Sequence, residues 1–198
     1  MYPESLKNLI ESFKMLPGVG EKTAERMAFF LINEEQERTD FFADSIKTAK
    51  EKIRKCTICN GITDKEVCDI CSNDLRNKKT LCVVEDPRSI FLFERLGSYK
   101  GQYHVLDGLI SPLDGVDPDE IGIDKLVKRV QNDKFDEIII AVKPSIEGET
   151  TALYIKKIIE GMKIKVTRIA SGIPIGTDIE YIDTMTLERA LTDRKEIE

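Results

Sequence analysis

Two Cys-x-x-Cys pairs, Cys56-Thr-Ile-Cys59 and Cys68-Asp-Ile-Cys71, constrain this chain more than any other feature. Two residues between thiolates let one tight turn offer both sulfurs to a single ion. A second such turn, eight residues further on, completes a tetrahedron. The segment 56–75 has few large apolar side chains, so the metal must supply its folding energy. Four thiolates fill the shell of one Zn²⁺ and leave no position for water, which makes the zinc structural. A pair of disulfides is the alternative, but the start Met-Tyr-Pro-Glu-Ser has neither the basic nor the apolar part of a secretory signal. No apolar run approaches the ~20 residues of a bilayer crossing, so a cytoplasmic protein is expected. The fifth cysteine, Cys82, lies in Leu81-Cys82-Val83-Val84 and reads as a buried core residue.

On the N-terminal side, residues 1–55 read as a small all-helical module. Leu6, Leu9, Ile10 and Phe13 recur at helical spacing. A break follows at Leu16-Pro17-Gly18-Val19-Gly20, then a second helix from Glu21 to about Ile32. A third helix is expected from about Asp40 to Lys55, with Phe42, Ile46, Ala49 and Ile53 as its apolar line. Gly18 and Gly20 permit positive φ and close backbone approach. The helix start behind them offers free amides to an anion, and Lys22 and Arg26 lie one turn apart on the same face. Amides plus two cations suit a DNA phosphate, a contact that positions a duplex without reading it. A plain αα-hairpin with solvated charges is the competing reading.

Beyond residue 79 the pattern alternates. Short apolar runs at Leu81 to Glu85, Tyr103 to Leu106, Ile138 to Val142 and Ile164 to Ala170 are separated by helical stretches at Arg88 to Leu96, Asp124 to Gln131 and Glu149 to Glu160. Such alternation gives βαβ units on a mostly parallel sheet. Gly108 to Gly122 is a long loop, and a short helix with Leu187, Ala190 and Leu191 on one side begins at Thr184. The fold class is therefore multidomain α+β: helical module 1–55, zinc finger 56–75, α/β domain 79–175 and helical tail 176–198. Glu85 and Asp86 fall at the carboxyl end of the first α/β strand, where ligands gather in open sheets. Glu147 and Glu149 follow the third strand and can converge on them. The lone His104 falls inside a strand and reads as a hydrogen-bonded structural residue.

Charge sharpens the functional question. Thirty basic against thirty-six acidic residues give a net charge of −6, which disfavours a broad phosphate-binding coat. Residues 1–55 carry ten of each sign, so the acidic excess lies entirely beyond them. Contact with DNA must be local.

These stretches carry three resemblances. Leu16 to Ala24 resembles the helix-hairpin-helix motif, which grips the DNA backbone; its DNA-binding residues would be Gly18, Gly20, Lys22, Thr23 and Arg26. Residues 79–175 resemble the Toprim domain of topoisomerases and primases. In the topoisomerase form, a run Asp-Pro-Asp-Arg-Glu-Gly-Glu holds Mg²⁺. Here Pro144, Glu147, Gly148 and Glu149 match it and Glu85 matches the lone glutamate, but Lys143 and Ser145 replace the two aspartates. Mg²⁺ takes oxygen ligands, so metal-dependent cleavage is not expected.

The order of the modules, with Tyr103-His104-Val105-Leu106-Asp107-Gly108, Ile110-Ser111-Pro112-Leu113-Asp114-Gly115 and Lys165 to Pro174, resembles the bacterial recombination mediator family RecR. Lys143 stands where that family usually has asparagine, and Asp107 where histidine is common. The resemblance implies a non-enzyme in recombinational DNA repair that acts with RecO and RecF to help load RecA on gapped or single-strand-binding-protein-coated DNA. It implies double-stranded and gapped DNA as partners, a ring-shaped homotetramer with the tail helix as one contact, and nucleoid association when bound. Glu85, Asp86, Glu147 and Glu149 would then form a docking surface for a basic partner such as RecO, or a vestigial metal site. A Mg²⁺-dependent Toprim nuclease or topoisomerase-like enzyme is the alternative.

Overall fold

A computed structural model describes residues 2–194 and 196. Met1 of the helical module, and Lys195, Ile197 and Glu198 of the tail, lie outside the described residues. The chain divides into two units after Ile53.

In the first unit, α1 (Glu4–Lys14) and α2 (Glu21–Ile32) form a hairpin. Leu6 and Ile10 of α1 are buried against Ala24 and Ala28 of α2, with Leu9, Phe13 and Val19 at the margin. Two fully buried alanines let the helix backbones approach closely. Gly18 turns the chain at φ +79°, a conformation that favours glycine. The third helix, α3, runs Gln36–Lys52 and not Asp40 to Lys55. Gln36, Glu37 and Arg38 are good helix formers that extend its start, and Ile53 ends it in an extended conformation. None of its residues is buried, and Phe42, Ile46 and Ile53 of its apolar line stay exposed, as does Phe41.

The second unit begins with β1 (Arg54–Lys55), paired antiparallel to β2 (Ile62–Thr63), and α4 (Asp69–Ser72). There follow β3 (Thr80–Val84), α5 (Pro87–Leu96), β4 (Gln102–Val105), α6 (Ile123–Asn132), β5 (Glu137–Ala141), α7 (Ile146–Ile158), β6 (Lys165–Arg168) and α8 (Thr184–Thr192). The four long strands form one parallel sheet in the order β4-β3-β5-β6. Period-two alternation sorts the side chains of β3 onto its two faces. Leu81 and Val83 join Leu126, Val130, Ile138, Ile140 and Ile155 in the larger core. Cys82 and Val84 join Ile90, Tyr103 and Val105 in the smaller one. Helices α6 and α7 thus cover one face, and α5 the other. Burial pushes the Cys82 thiol up to about 12, so it stays protonated.

Both edges of the sheet end at functional ground. At the β4 edge the cysteine segment docks by a main-chain hydrogen bond, the Val105 amide donating to the Cys59 carbonyl at 2.8 Å. The edge strand β6 carries Lys165 and Arg168, charges that discourage pairing with another chain.

Candidate zinc centre and nucleic-acid interface

The knuckle around the cysteines is built by hydrogen bonds as much as by sulfur. The Cys56 amide donates to the Gly61 carbonyl at 2.7 Å, and the Asn60 amide to the Cys56 carbonyl at 2.9 Å. Asn60 takes φ +61°, which asparagine tolerates better than most residues. Its side-chain amide donates to the Val105 carbonyl at 3.0 Å and to Asp107 at 3.1 Å, fastening the turn to β4. Backbone amides point at sulfur: Gly61 at Cys59 Sγ (3.4 Å) and Cys68 at Cys56 Sγ (3.3 Å). The ligand atoms of Cys56, Cys59, Cys68 and Cys71 lie within 4.8 Å of one another. Hydrogen bonding with Cys68 pushes the Cys59 thiol up to about 12, and the Cys71 thiol is raised by its bond with Cys59. The thiol hydrogen bond from Cys59 lowers Cys68. Sulfurs so close do not all ionise unless a cation shares them. Soft donors at this spacing fit one tetrahedral Zn²⁺.

In the first unit, the hairpin turn is closed by the Val19 amide on the Leu16 carbonyl at 3.1 Å. Gly20 precedes α2 in an extended conformation, with no side chain capping the helix start. Glu21 is drawn aside by Lys14, at 2.6 Å. Lys22 and Arg26 are exposed, and neither meets a carboxylate among the described residues; Thr23 is half-buried. Gly18, Gly20, Lys22, Thr23 and Arg26 therefore share one small region, where an uncapped positive helix end and two cations meet solvent.

The four acidic candidates fall into two places. Glu85, Asp86 and Glu147 line one cleft at the carboxyl ends of β3 and β5, together with Asp107, Asp114, Glu120 and Lys143. The Lys143 amide donates to Glu85 at 3.2 Å. Ser145 accepts from the Gly148 amide at 3.2 Å as the cap of α7 and donates to Glu147 at 2.6 Å. Gly148 admits no other residue without distortion, since a Cβ there would lie 2.0 Å from the Lys143 carbonyl oxygen. Glu149 lines a different cavity, with Arg168 and Arg189. It accepts from Arg189 at 2.8 Å and from Arg168 at 2.8 and 3.1 Å, and Arg168 also reaches Asp193 at 3.2 Å. Neither arginine was singled out from sequence, because they lie 19 and 40 residues from Glu149.

This cluster ties α8 to β6 and α7. The hydrogen bond from Arg189, with the charge of Arg168 behind it, holds the Glu149 carboxyl below the usual carboxylate range. A lowered folded pKa contributes stability that is present above the unfolded value, about 4.3, and is lost as pH falls through the folded one. Acidification is therefore expected to release α8 before the sheet. Glu149→Gln is expected to speed amide exchange in 184–192 several-fold at neutral pH; equal protection in variant and parent would refute this.

His104 is buried in β4, yet among the described residues its Nδ1 finds no hydrogen-bond partner, contrary to the expected bonded role. Burial, with Arg129 and Lys125 nearby, pushes its pKa down to about 3 and keeps the ring neutral.

Four family models match the chain. They are RecR, helix-hairpin-helix, over residues 6–50; RecR, zinc finger domain of the four-cysteine type, over 53–73; Toprim domain, over 79–170; and RecR, C-terminal, over 172–195. The cysteine cluster thus holds one structural zinc. No helix among the described residues is long and apolar enough to cross a membrane.

Proposed function

The chain belongs to the RecR family, whose domains carry a role in recombinational DNA repair, and from that premise we propose a non-catalytic, DNA-binding mediator. It acts with RecO and RecF to help load RecA on gapped or single-strand-binding-protein-coated DNA. The observation that carries this reading is the crevice at the ends of β3 and β5. The two positions that hold metal-binding aspartates in catalytic Toprim domains are Lys143 and Ser145, and each is engaged by the fold itself. Ser145 caps α7, and the Lys143 amide is bonded to Glu85. Glu149 is neutralised by two arginines away from Glu85, which argues against the two holding a Mg²⁺ ion between them.

DNA contact falls to Gly18, Gly20, Lys22, Thr23 and Arg26. Glu85, Asp86 and Glu147 line a half-buried acidic cleft suited to a basic partner such as RecO, with Asp86 also paired to Arg88. Glu149 belongs to this surface only in part, since its charge is satisfied internally. The open apolar faces of α3 and α8, with Phe41, Phe42, Ile46, Met185 and Leu191 exposed, support a homo-oligomer, which we take to be a ring-shaped tetramer able to surround duplex DNA. A ring would gather Lys22 and Arg26 from every copy, and weak single contacts would add as avidity. Bound in this way the protein is nucleoid-associated.

The test is purified protein with circular and linear duplex DNA at low salt, with and without Mg²⁺, on one native gel before and after deproteinisation. The expected result is retarded DNA recovered intact in every lane. DNA cut or relaxed only with Mg²⁺ would restore the enzyme reading. In the same preparation, Glu147→Lys is expected to weaken RecO binding, and unchanged affinity would remove the acidic cleft from that interface. Light scattering of the chain lacking 184–198 tests the tail as an oligomer contact, and an unchanged assembly size would dismiss it.

A further inference from the structure

A second cleft, of about 1030 Å³, opens in the unit 54–198 between the cysteine knuckle and α6, and its walls are basic. Lys55 comes from β1, Lys78 and Lys79 from the segment before β3, Lys125 and Arg129 from α6, and Lys134 from the turn after it. The cations differ in how far they are committed. Lys55 is paired with Asp107, Lys78 with Asp74 at 2.6 Å, and Lys79 with Asp136 at 3.7 Å. Arg129 is buried and fixed, donating to the Tyr103 carbonyl at 2.6 Å and to Gln102 at 2.7 Å, with Asp133 at 3.4 Å. Lys125 and Lys134 are exposed and have no carboxylate partner within ion-pair distance among the described residues. His104, 2 % exposed, also lines the cleft and carries the unpartnered Nδ1.

A buried nitrogen without a partner is uncommon in a folded chain, and here it lies beside a concentration of positive charge. Burial is the chief cause of the depressed pKa of this histidine, and the charges of Arg129 and Lys125 add to it. Cations drawn from separate elements around an open groove suit several phosphates in a row better than one. Among the described residues no Phe, Tyr or Trp lines the groove, and the His104 ring is buried, so it offers no stacking platform for bases. We propose that this cleft is a second site for nucleic-acid phosphates, holding the backbone of a strand between the zinc knuckle and α6, apart from the hairpin. Its contacts are with the backbone alone, so it is indifferent to sequence and sensitive to salt.

The proposal rests on the reading of the chain as a DNA-binding protein, and the test separates the two. Fluorescence anisotropy of the full-length protein with a labelled oligothymidylate is measured across a salt series. The variants are Lys125→Ala/Lys134→Ala, Lys22→Ala/Arg26→Ala and Lys128→Ala, the last an exposed α6 lysine outside the cleft. Loss of two phosphate contacts is expected to flatten the slope of log K against log salt by about 1.4 in the cleft variant, with Lys128→Ala unchanged. The hairpin variant is expected to keep the part that the cleft variant loses. A mixed-sequence oligonucleotide should give the same result. Cleft binding equal to the parent at every salt overturns the proposal, and leaves the hairpin reading standing if the hairpin variant has lost affinity. A loss in the cleft variant alone supports the cleft and counts against the hairpin. Displacement of the strand by ATP or inorganic phosphate at matched phosphate concentration overturns the strand assignment in favour of a free phosphate. Should the alanine pair melt early, Lys125→Gln/Lys134→Gln keeps the aliphatic stems and is read in the same way.

Discussion

Removing zinc is expected to unfold residues 54–73 while leaving most of the parallel sheet folded. The knuckle has two two-residue strands and one helical turn, far too little to hold itself. Its buried side chains are chiefly the cysteines Cys56, Cys59 and Cys68. Structural zinc contributes roughly 10–16 kcal/mol in small finger peptides, as much as the whole stability of an ordinary domain. Nothing else in the segment replaces it. Chelation, or Cys59→Ser, should lower Tm on the order of 10 °C. Chelation should also make Cys56, Cys59, Cys68 and Cys71 reactive toward a thiol reagent while Cys82 stays protected in the sheet. Retention of the parent melting curve after the metal is shown to be gone would overturn the structural role.

The second large effect is expected at the hairpin. Lys22→Ala/Arg26→Ala removes two exposed cations beside the uncapped start of α2 and breaks no ion pair among the described residues, so the fold should be untouched. Duplex affinity should fall by about tenfold or more near 0.1 M salt, and the salt slope by about 1.8 for each chain engaged. If several copies act together the loss compounds. Gly18→Ala should act in the same direction through the backbone, because alanine at φ +79° is strained. An unchanged affinity and slope in the double variant would return Leu16 to Ala24 to a plain helical turn.

What the sequence made legible follows from the range of each interaction. The zinc ligands and the hairpin glycines are local devices, with chemistry and spacing contained in a dozen or so residues. The strands of the sheet were legible to within a residue or two. The central β3 and β5 are nearly continuous apolar runs, and the edge strands β4 and β6 carry shorter β-branched or aromatic stretches. The helix α3 was less so. Its charged start, Gln36 to Arg38, has helical propensity but no apolar marker, and its apolar line suggested a burial that this chain does not provide. The partners of Glu149 were illegible because they come from β6 and α8. The basic cleft was hidden for the same reason, with its lysines scattered through an acidic sequence. Asn60-Gly61 did carry a readable turn signal, but that its side chain fastens the knuckle to β4 emerges only in three dimensions.

The main-chain bond from Val105 to Cys59 gives the metal a second duty. Arg129 and Tyr99 already satisfy the Tyr103 and Gln102 carbonyls, but β4 left open at its end would present an unpaired amide and carbonyl at Val105, a foothold for another chain. The knuckle screens that foothold, with Cys59 and Asn60 both bonded to Val105. Zinc loss therefore reaches past the twenty residues it orders. It uncovers an adhesive border, and the molecule becomes prone to self-association in a way that its acidic net charge only partly opposes. In a cell short of zinc, this protein would leave solution before it lost its sheet.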